Sequence, residues 1–158
     1  MNKIFKILFP VLAVLCMAFI LTNSMQTAVK AEKKQVAVVE VVEKIATKVA
    51  KKEVHLSKEN SASISKTGHV VEFLLFSFFL TLSLLYEDQG KRVYEKVLLC
   101  GVFLAITDEH LQLLAKGRGS KLTDVLVDLA GIMIGFAIAK WILKIARRRK
   151  NARNDSAL

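Results

Sequence analysis

Four apolar stretches divide this chain, and the polar residues at their edges set its organisation. The first runs from Ile4 to Thr22, with Lys3 and Lys6 at its start. Phe73 to Leu85, Val97 to Thr107 and Leu122 to Ile145 follow. A helix needs about 20 predominantly apolar residues to cross a hydrocarbon core roughly 30 Å thick. The first and last stretches reach that length alone, and the second reaches it as a helix from about Thr67 to Tyr86. The third has only 11 residues. A spanning helix there must run from about Arg92 to Leu114 and take in Asp108, Glu109 and Gln112. The predicted fold is an all-α membrane bundle of four transmembrane helices, with a polar connector between helices one and two.

Within that frame the chain divides into a first transmembrane helix (1–22), an extracytoplasmic connector (23–65), a three-helix core (66–146) and a basic cytoplasmic tail (147–158). Pro10 is tolerated inside a membrane helix. A signal peptide cleaved after Ala31 is the alternative for the first stretch, since Val29-Lys30-Ala31 offers small residues at the right spacing before the cut. In the connector, Val38, Val42, Ile45 and Val49 recur at helical spacing, which allows an amphipathic helix on the membrane surface. The valine-rich run Val36 to Val42 suits a strand nearly as well. The lysines favour a solvated spacer over both, with Asn60 to Ser65 as a loop. Glu87 to Lys96 reads as a short charged loop. Ser120 or Thr123 is placed to cap the last helix.

Composition sharpens this picture. Hydrophobic residues make up 53% of the 158 positions, yet Lys+Arg total 24 against 14 Asp+Glu, for a formal charge of +10. Basic residues beside apolar runs are topology signals and contacts for anionic lipid headgroups, not a nucleic-acid surface. The dense group Lys140, Lys144, Arg147, Arg148, Arg149, Lys150 and Arg153 predicts a cytoplasmic C-terminus. Trp141 fits an interfacial anchor at that end. Cys16 and Cys100 both lie in apolar runs without ligand spacing, so neither a disulfide framework nor a zinc site is indicated, and no metal ligand set is assigned. No cofactor-binding motif is present.

The candidate chemistry lies at the opposite end. Lys66, His69 and Glu72 follow at three-residue steps on one face of the second helix. Asp108 and Gln112, four apart, share a face of the third, with Glu109 beside them. Arg118 lies in the following loop, whose glycines and arginine suit a phosphate. Asp124, Asp128, Gly131 and Gly135 form one stripe on the fourth helix, with the glycines allowing close helix packing. Ionisable groups in a membrane helix are costly and usually face the protein interior. Three sequence regions are thus expected to converge on one membrane face. A helix ending at Thr107 with solvated charges behind it, or a purely structural polar cap, would be the plainer outcome.

These residues carry a family resemblance. Lys66-Thr67-Gly68-His69-Val70-Val71-Glu72-Phe73 resembles the segment opening the second helix of VanZ-like membrane proteins. Asp108-Glu109-His110-Leu111-Gln112, Gly117-Arg118-Gly119, Asp124 and Gly131 to Gly135 are similar to that family's most characteristic stretch. Asn23-Ser24-Met25-Gln26 resembles its Ser/Gln-containing turn. Asp128 stands where the family commonly shows Asn, and the connector is longer than usual. The resemblance implies a small bacterial envelope protein, in a family whose naming member is associated with resistance to the lipoglycopeptide teicoplanin.

The functional expectation is binding or handling of an amphiphile at the outer face, such as a lipid-linked envelope precursor or a lipoglycopeptide. Lys66 and Arg118 would hold anionic groups, and apolar helices the tail. The competing expectation is an enzyme acting on a lipid-linked precursor, with a divalent ion held by Asp108, Glu109, Asp124 and Asp128. No nucleophile with an adjacent base can be named for it; His69 or Glu72 would be its base. A homo-oligomer joined through the glycine stripe is a further expectation, whereas a transporter is disfavoured by four helices and no internal repeat.

Overall fold

The computed structural model describes residues 3–53, 58–87, 92–119 and 121–155. These form five helices: α1 Lys3–Ser24, α2 Ala28–Ala50, α3 Lys58–Glu87, α4 Val93–Leu114 and α5 Leu122–Asp155. Four of them, α1, α3, α4 and α5, contain segments long and apolar enough to cross a membrane. The closest pairing is α3 with α5, followed by α1 with α3, then α4 with α5 and with α1. The four helices are therefore arranged in the cyclic order α1, α3, α5, α4. A further contact between α3 and α4 closes the middle.

The core runs along this central seam. Ile20 of α1, Phe73 and Phe76 of α3, Val97, Leu104 and Ala105 of α4, and Ile132 of α5 are buried together. Large apolar residues elsewhere point outward: Phe19, Leu99, Phe103, Ile106 and Met133 are all exposed. An apolar exterior is what a lipid solvent permits, and it removes the hydrophobic drive for helices to associate. Close packing has to supply that drive. It does so at Gly131 and Gly135, which bring α5 against α3: a Cβ on Gly131 would lie 2.6 Å from the Val70 carbonyl oxygen. Ser77 and Thr81 are fully buried on α3 and return their hydroxyls to the carbonyls of Leu74 (3.1 Å) and Ser77 (2.6 Å). Such back-bonding satisfies polar side chains inside a helix without a partner from outside it. Both glycines are consumed by packing within the chain, which leaves the expected oligomer no glycine stripe to use.

In the connector the helical alternative replaces the favoured one. The solvated spacer and the strand both give way to α2, a helix of 23 residues that buries none of them. Its valines are interleaved with Ala, Glu, Lys and Gln, and those strong helix formers outweigh the β preference. Residues 60–65, expected as a loop, belong to α3, which begins at Lys58 rather than near Thr67. Once the membrane span supplies the costly nucleus, each added residue needs only propagation. By the same reasoning α5 continues beyond Ile145 to Asp155, so much of the expected tail is helical. Residues 88–91 of the charged loop, with Gly90 and Lys91, lie outside the described residues, and α4 already begins at Val93.

One backbone contact fixes where α2 starts. The Ala28 amide donates to the Lys116 carbonyl (3.1 Å), tying the head of α2 to the loop between α4 and α5. In that loop Gly117 adopts φ +80° with its α-carbon facing Ala28. A side chain there would strain the left-handed backbone and press on α2.

Candidate functional site

The cluster forms where the end of α1, the start of the apolar span of α3 (Lys66–Leu85), the end of α4 and the start of α5 meet. Asp108 is its centre. α4 does not end at Thr107: it continues to Leu114, and Asp108, Glu109 and Gln112 are 1%, 4% and 4% exposed. The plainer reading, with solvated charges behind a short helix, is thereby set aside. Polar groups buried at this depth need partners, and most of them have one.

Asp108 Oδ2 accepts from Gln112 Nε2 at 2.6 Å, the pairing that their four-residue spacing predicts. Its Oδ1 accepts from the Ser24 hydroxyl, which also lies 2.8 Å from the Ile20 carbonyl oxygen. Gln112 Oε1 in turn accepts from Arg118 Nη2 at 2.9 Å, while Arg118 Nη1 reaches the Asn23 carbonyl at 3.4 Å. Asn23 Nδ2 donates to Glu72 Oε1 at 3.0 Å, and Lys34 Nζ of α2 donates to Asn23 Oδ1 at 3.2 Å. The donor directions are chemically forced. A guanidinium only donates and an ionised carboxylate only accepts, so Gln112 must turn its amide toward Asp108 and its carbonyl toward Arg118.

A second group adjoins the first. His69 Nδ1 lies 3.5 Å from Asp128 Oδ1 and 3.9 Å from Asp108 Oδ2. Asp128 is fully buried, and neither of its carboxylate oxygens has a hydrogen-bond partner. Glu109 Oε2 accepts from the Lys121 amide at 3.0 Å, which anchors the first turn of α5, while Oε1 has no partner. That backbone contact stands where a side-chain cap was expected. Thr123 is already inside α5, where it donates to Asp124 at 3.3 Å, and Ser120 lies outside the described residues.

The structure therefore brings His69, Glu72, Asp108, Gln112, Arg118 and Asp128 together. Glu109 lies beside them, facing the start of α5. Lys66 is exposed and Asp124 half-buried, both at the rim. The four-carboxylate metal set of Asp108, Glu109, Asp124 and Asp128 does not form. Among the described residues, only His69, Asp108 and Asp128 present donor atoms within 4.8 Å of one another. Sequence reasoning left Asn23, Ser24 and Lys34 out of the site. Ser24 and Asn23 are uncharged residues closing a strongly apolar helix, and only the resemblance in residues 23–26 marked them. Lys34 is one of many connector lysines, visible only once α2 is seen to fold over the site.

Two connected clefts open onto the cluster, sharing Gln35, His69 and Arg118. One, of about 360 Å³, is bordered by Lys66, Gln112, Gly119, Lys121, Asp124 and Val127. The other, of about 260 Å³, is bordered by Phe19, Asn23, Ala31, Lys34, Val38, Gly68 and Glu72. A separate apolar groove of about 360 Å³ runs between α1, α3 and α4. It is lined by residues such as Pro10, Val14, Leu80 and Phe103, and reaches Leu21 and Thr107 beside the polar end.

Four apolar helices around a buried polar cluster at one end define a multi-pass membrane protein. The family model described as VanZ/LLP1 matches residues 9–144, which include every residue of the buried network. The chain belongs to the VanZ/LLP1 family. Comparison with curated proteins and with solved structures returns no match.

Proposed function

We propose that this protein binds an amphiphile at the outer face of the bacterial membrane, holding an anionic headgroup in the paired clefts and the lipid tail against the apolar groove. The observation that carries this reading is the make-up of the clefts. Lys34, Lys66, Arg118 and Lys121 border them and outnumber the carboxylates of Glu72 and Asp124, while Phe19, Ala31 and Val38 give one side an apolar wall. A headgroup phosphate or carboxylate suits the cations; Arg118 gives two of its five N–H groups to Gln112 and Asn23 and keeps the others for a ligand. The family resemblance suggests a lipid-linked envelope precursor or a lipoglycopeptide of the teicoplanin type as the ligand. An enzyme acting on a lipid-linked precursor is the second reading, favoured by His69, which borders both clefts with the buried Asp128 behind it.

The test compares teicoplanin susceptibility in cells expressing the intact protein, Glu109→Gln or Arg118→Ala at matched membrane levels. Protection by the intact protein and its loss in Arg118→Ala are expected. Equal susceptibility in all three strains counts against an antibiotic-handling role.

The outer-face assignment rests on the positive-inside rule applied to the basic end of α5. A phosphatase or fluorescent reporter fused after Leu158 is expected to report a cytoplasmic location. A reporter active outside the cell would place the clefts on the inner face and remove envelope precursors from consideration.

A further inference from the structure

We propose that His69, Asp108 and Asp128 form a binding site for a divalent transition-metal ion of the zinc class. The proposal goes beyond amphiphile binding and does not depend on it. Its starting point is Asp128, a fully buried carboxylate with neither oxygen hydrogen-bonded, facing a histidine nitrogen that is also without a hydrogen bond. An unsatisfied buried carboxylate costs several kcal/mol unless a cation meets it. Among the described residues, no lysine or arginine forms an ion pair with Asp108, Glu109 or Asp128, and the one basic group beside Asp108 and Asp128 is His69, a cation only when protonated.

The spacing fits a metal better than it fits hydrogen bonds. His69 Nδ1 is 3.5 Å from Asp128 Oδ1 and 3.9 Å from Asp108 Oδ2, and the three donor atoms lie within 4.8 Å of each other. An N–H···O bond is about 2.9 Å long. Donors bound about 2.0–2.1 Å from a zinc ion sit roughly 3.3–3.4 Å apart around a tetrahedron. Small side-chain movements would close the set on an ion. One imidazole with two carboxylates favours zinc or a neighbouring first-row ion over magnesium or calcium, which prefer all-oxygen shells. The outer contacts suit the role as well: Ser24 and Gln112 both donate to Asp108 and fix its orientation, as partners behind a metal ligand usually do. Three protein donors leave a coordination position open, reached through His69, which borders both clefts.

The full chain, purified in detergent without a polyhistidine tag and stripped with chelator, is to be given Zn²⁺, freed of unbound ion and assayed for metal. One zinc per chain and a higher unfolding temperature with zinc are expected. Gln112→Ala should weaken zinc binding about 10- to 100-fold by releasing Asp108. Asp128→Asn should lose both the zinc and the zinc-dependent stabilisation. With Co²⁺, His69→Cys should show a thiolate-to-metal charge-transfer absorption that His110→Cys, on an exposed position of α4, lacks. Folded intact protein that takes up no zinc would overturn the proposal without recourse to any variant. Unchanged zinc affinity in folded Asp128→Asn would overturn it as well, by placing the ion elsewhere.

Discussion

Gly135→Leu is expected to cost about 3 kcal/mol or more of stability and to leave little folded protein in the membrane. A Cβ at this position would overlap both the Leu74 carbonyl oxygen and Ser77 Oγ on α3. Overpacking against movable side chains typically costs about 1–3 kcal/mol. Here the obstacle includes a helix backbone, which can yield only if α5 moves off α3 along their whole contact. Gly101→Ala should be milder, because the atoms nearest its added carbon belong to the Ile132 side chain and not to a helix backbone. Gly68→Ala supplies the opposite sign: nothing lies within 4 Å of its added carbon, and removing glycine from a helix interior stabilises by about 0.5–1 kcal/mol. Thermal unfolding in detergent, followed by circular dichroism, ranks the three. A Gly135→Leu protein as stable as the parent would sink the close packing of α5 on α3.

Asp108→Asn and Arg118→Ala are expected to be less damaging together than the sum of the two alone. Asparagine at 108 can still accept from Ser24, but its new amide would face the Gln112 amide, donor against donor. Gln112 cannot turn to relieve this while Arg118 donates to its carbonyl at 2.9 Å. Asp108→Asn therefore leaves a buried donor unsatisfied, at about 1–3 kcal/mol. Arg118→Ala alone strips the donor from Gln112 Oε1 at a comparable cost. In the double variant Gln112 is free to rotate and offer its carbonyl to Asn at 108, recovering on the order of 1 kcal/mol. The cycle should be run in chelator so that no bound ion contributes. Strictly additive losses would mean that the two residues do not communicate through Gln112.

The four spans were legible because hydropathy over about 20 residues is a strong signal. The central carboxylate was legible for a more particular reason. An 11-residue apolar run could span only by drawing Asp108, Glu109 and Gln112 inside, and their burial follows from that arithmetic. The partners were harder to read. Three-residue steps put Lys66, His69 and Glu72 on one face, yet Lys66 is exposed while His69 turns to Asp128 of another helix. Periodicity reports which face a residue occupies, not which helix will lie across from it. α2 was only half legible: Val38, Val42, Ile45 and Val49 recur at helical spacing, but the valine-rich run Val36 to Val42 suits a strand nearly as well, and a helix that buries no residue has no core contact to decide between them.

The contact between Ser24 and Asp108 joins residues 84 positions apart. During synthesis at about 5–20 residues per second, the hydroxyl of Ser24 precedes its carboxylate by roughly 4–17 s. Over that interval α1 waits in the bilayer, and the Ile20 carbonyl, 2.8 Å away within the same helix, occupies the hydroxyl. Arrival of Asp108 lets that proton change acceptors, so the polar end is completed only after α4 has emerged. A ribosome stalled before that point would leave α1 inserted but the site unmade.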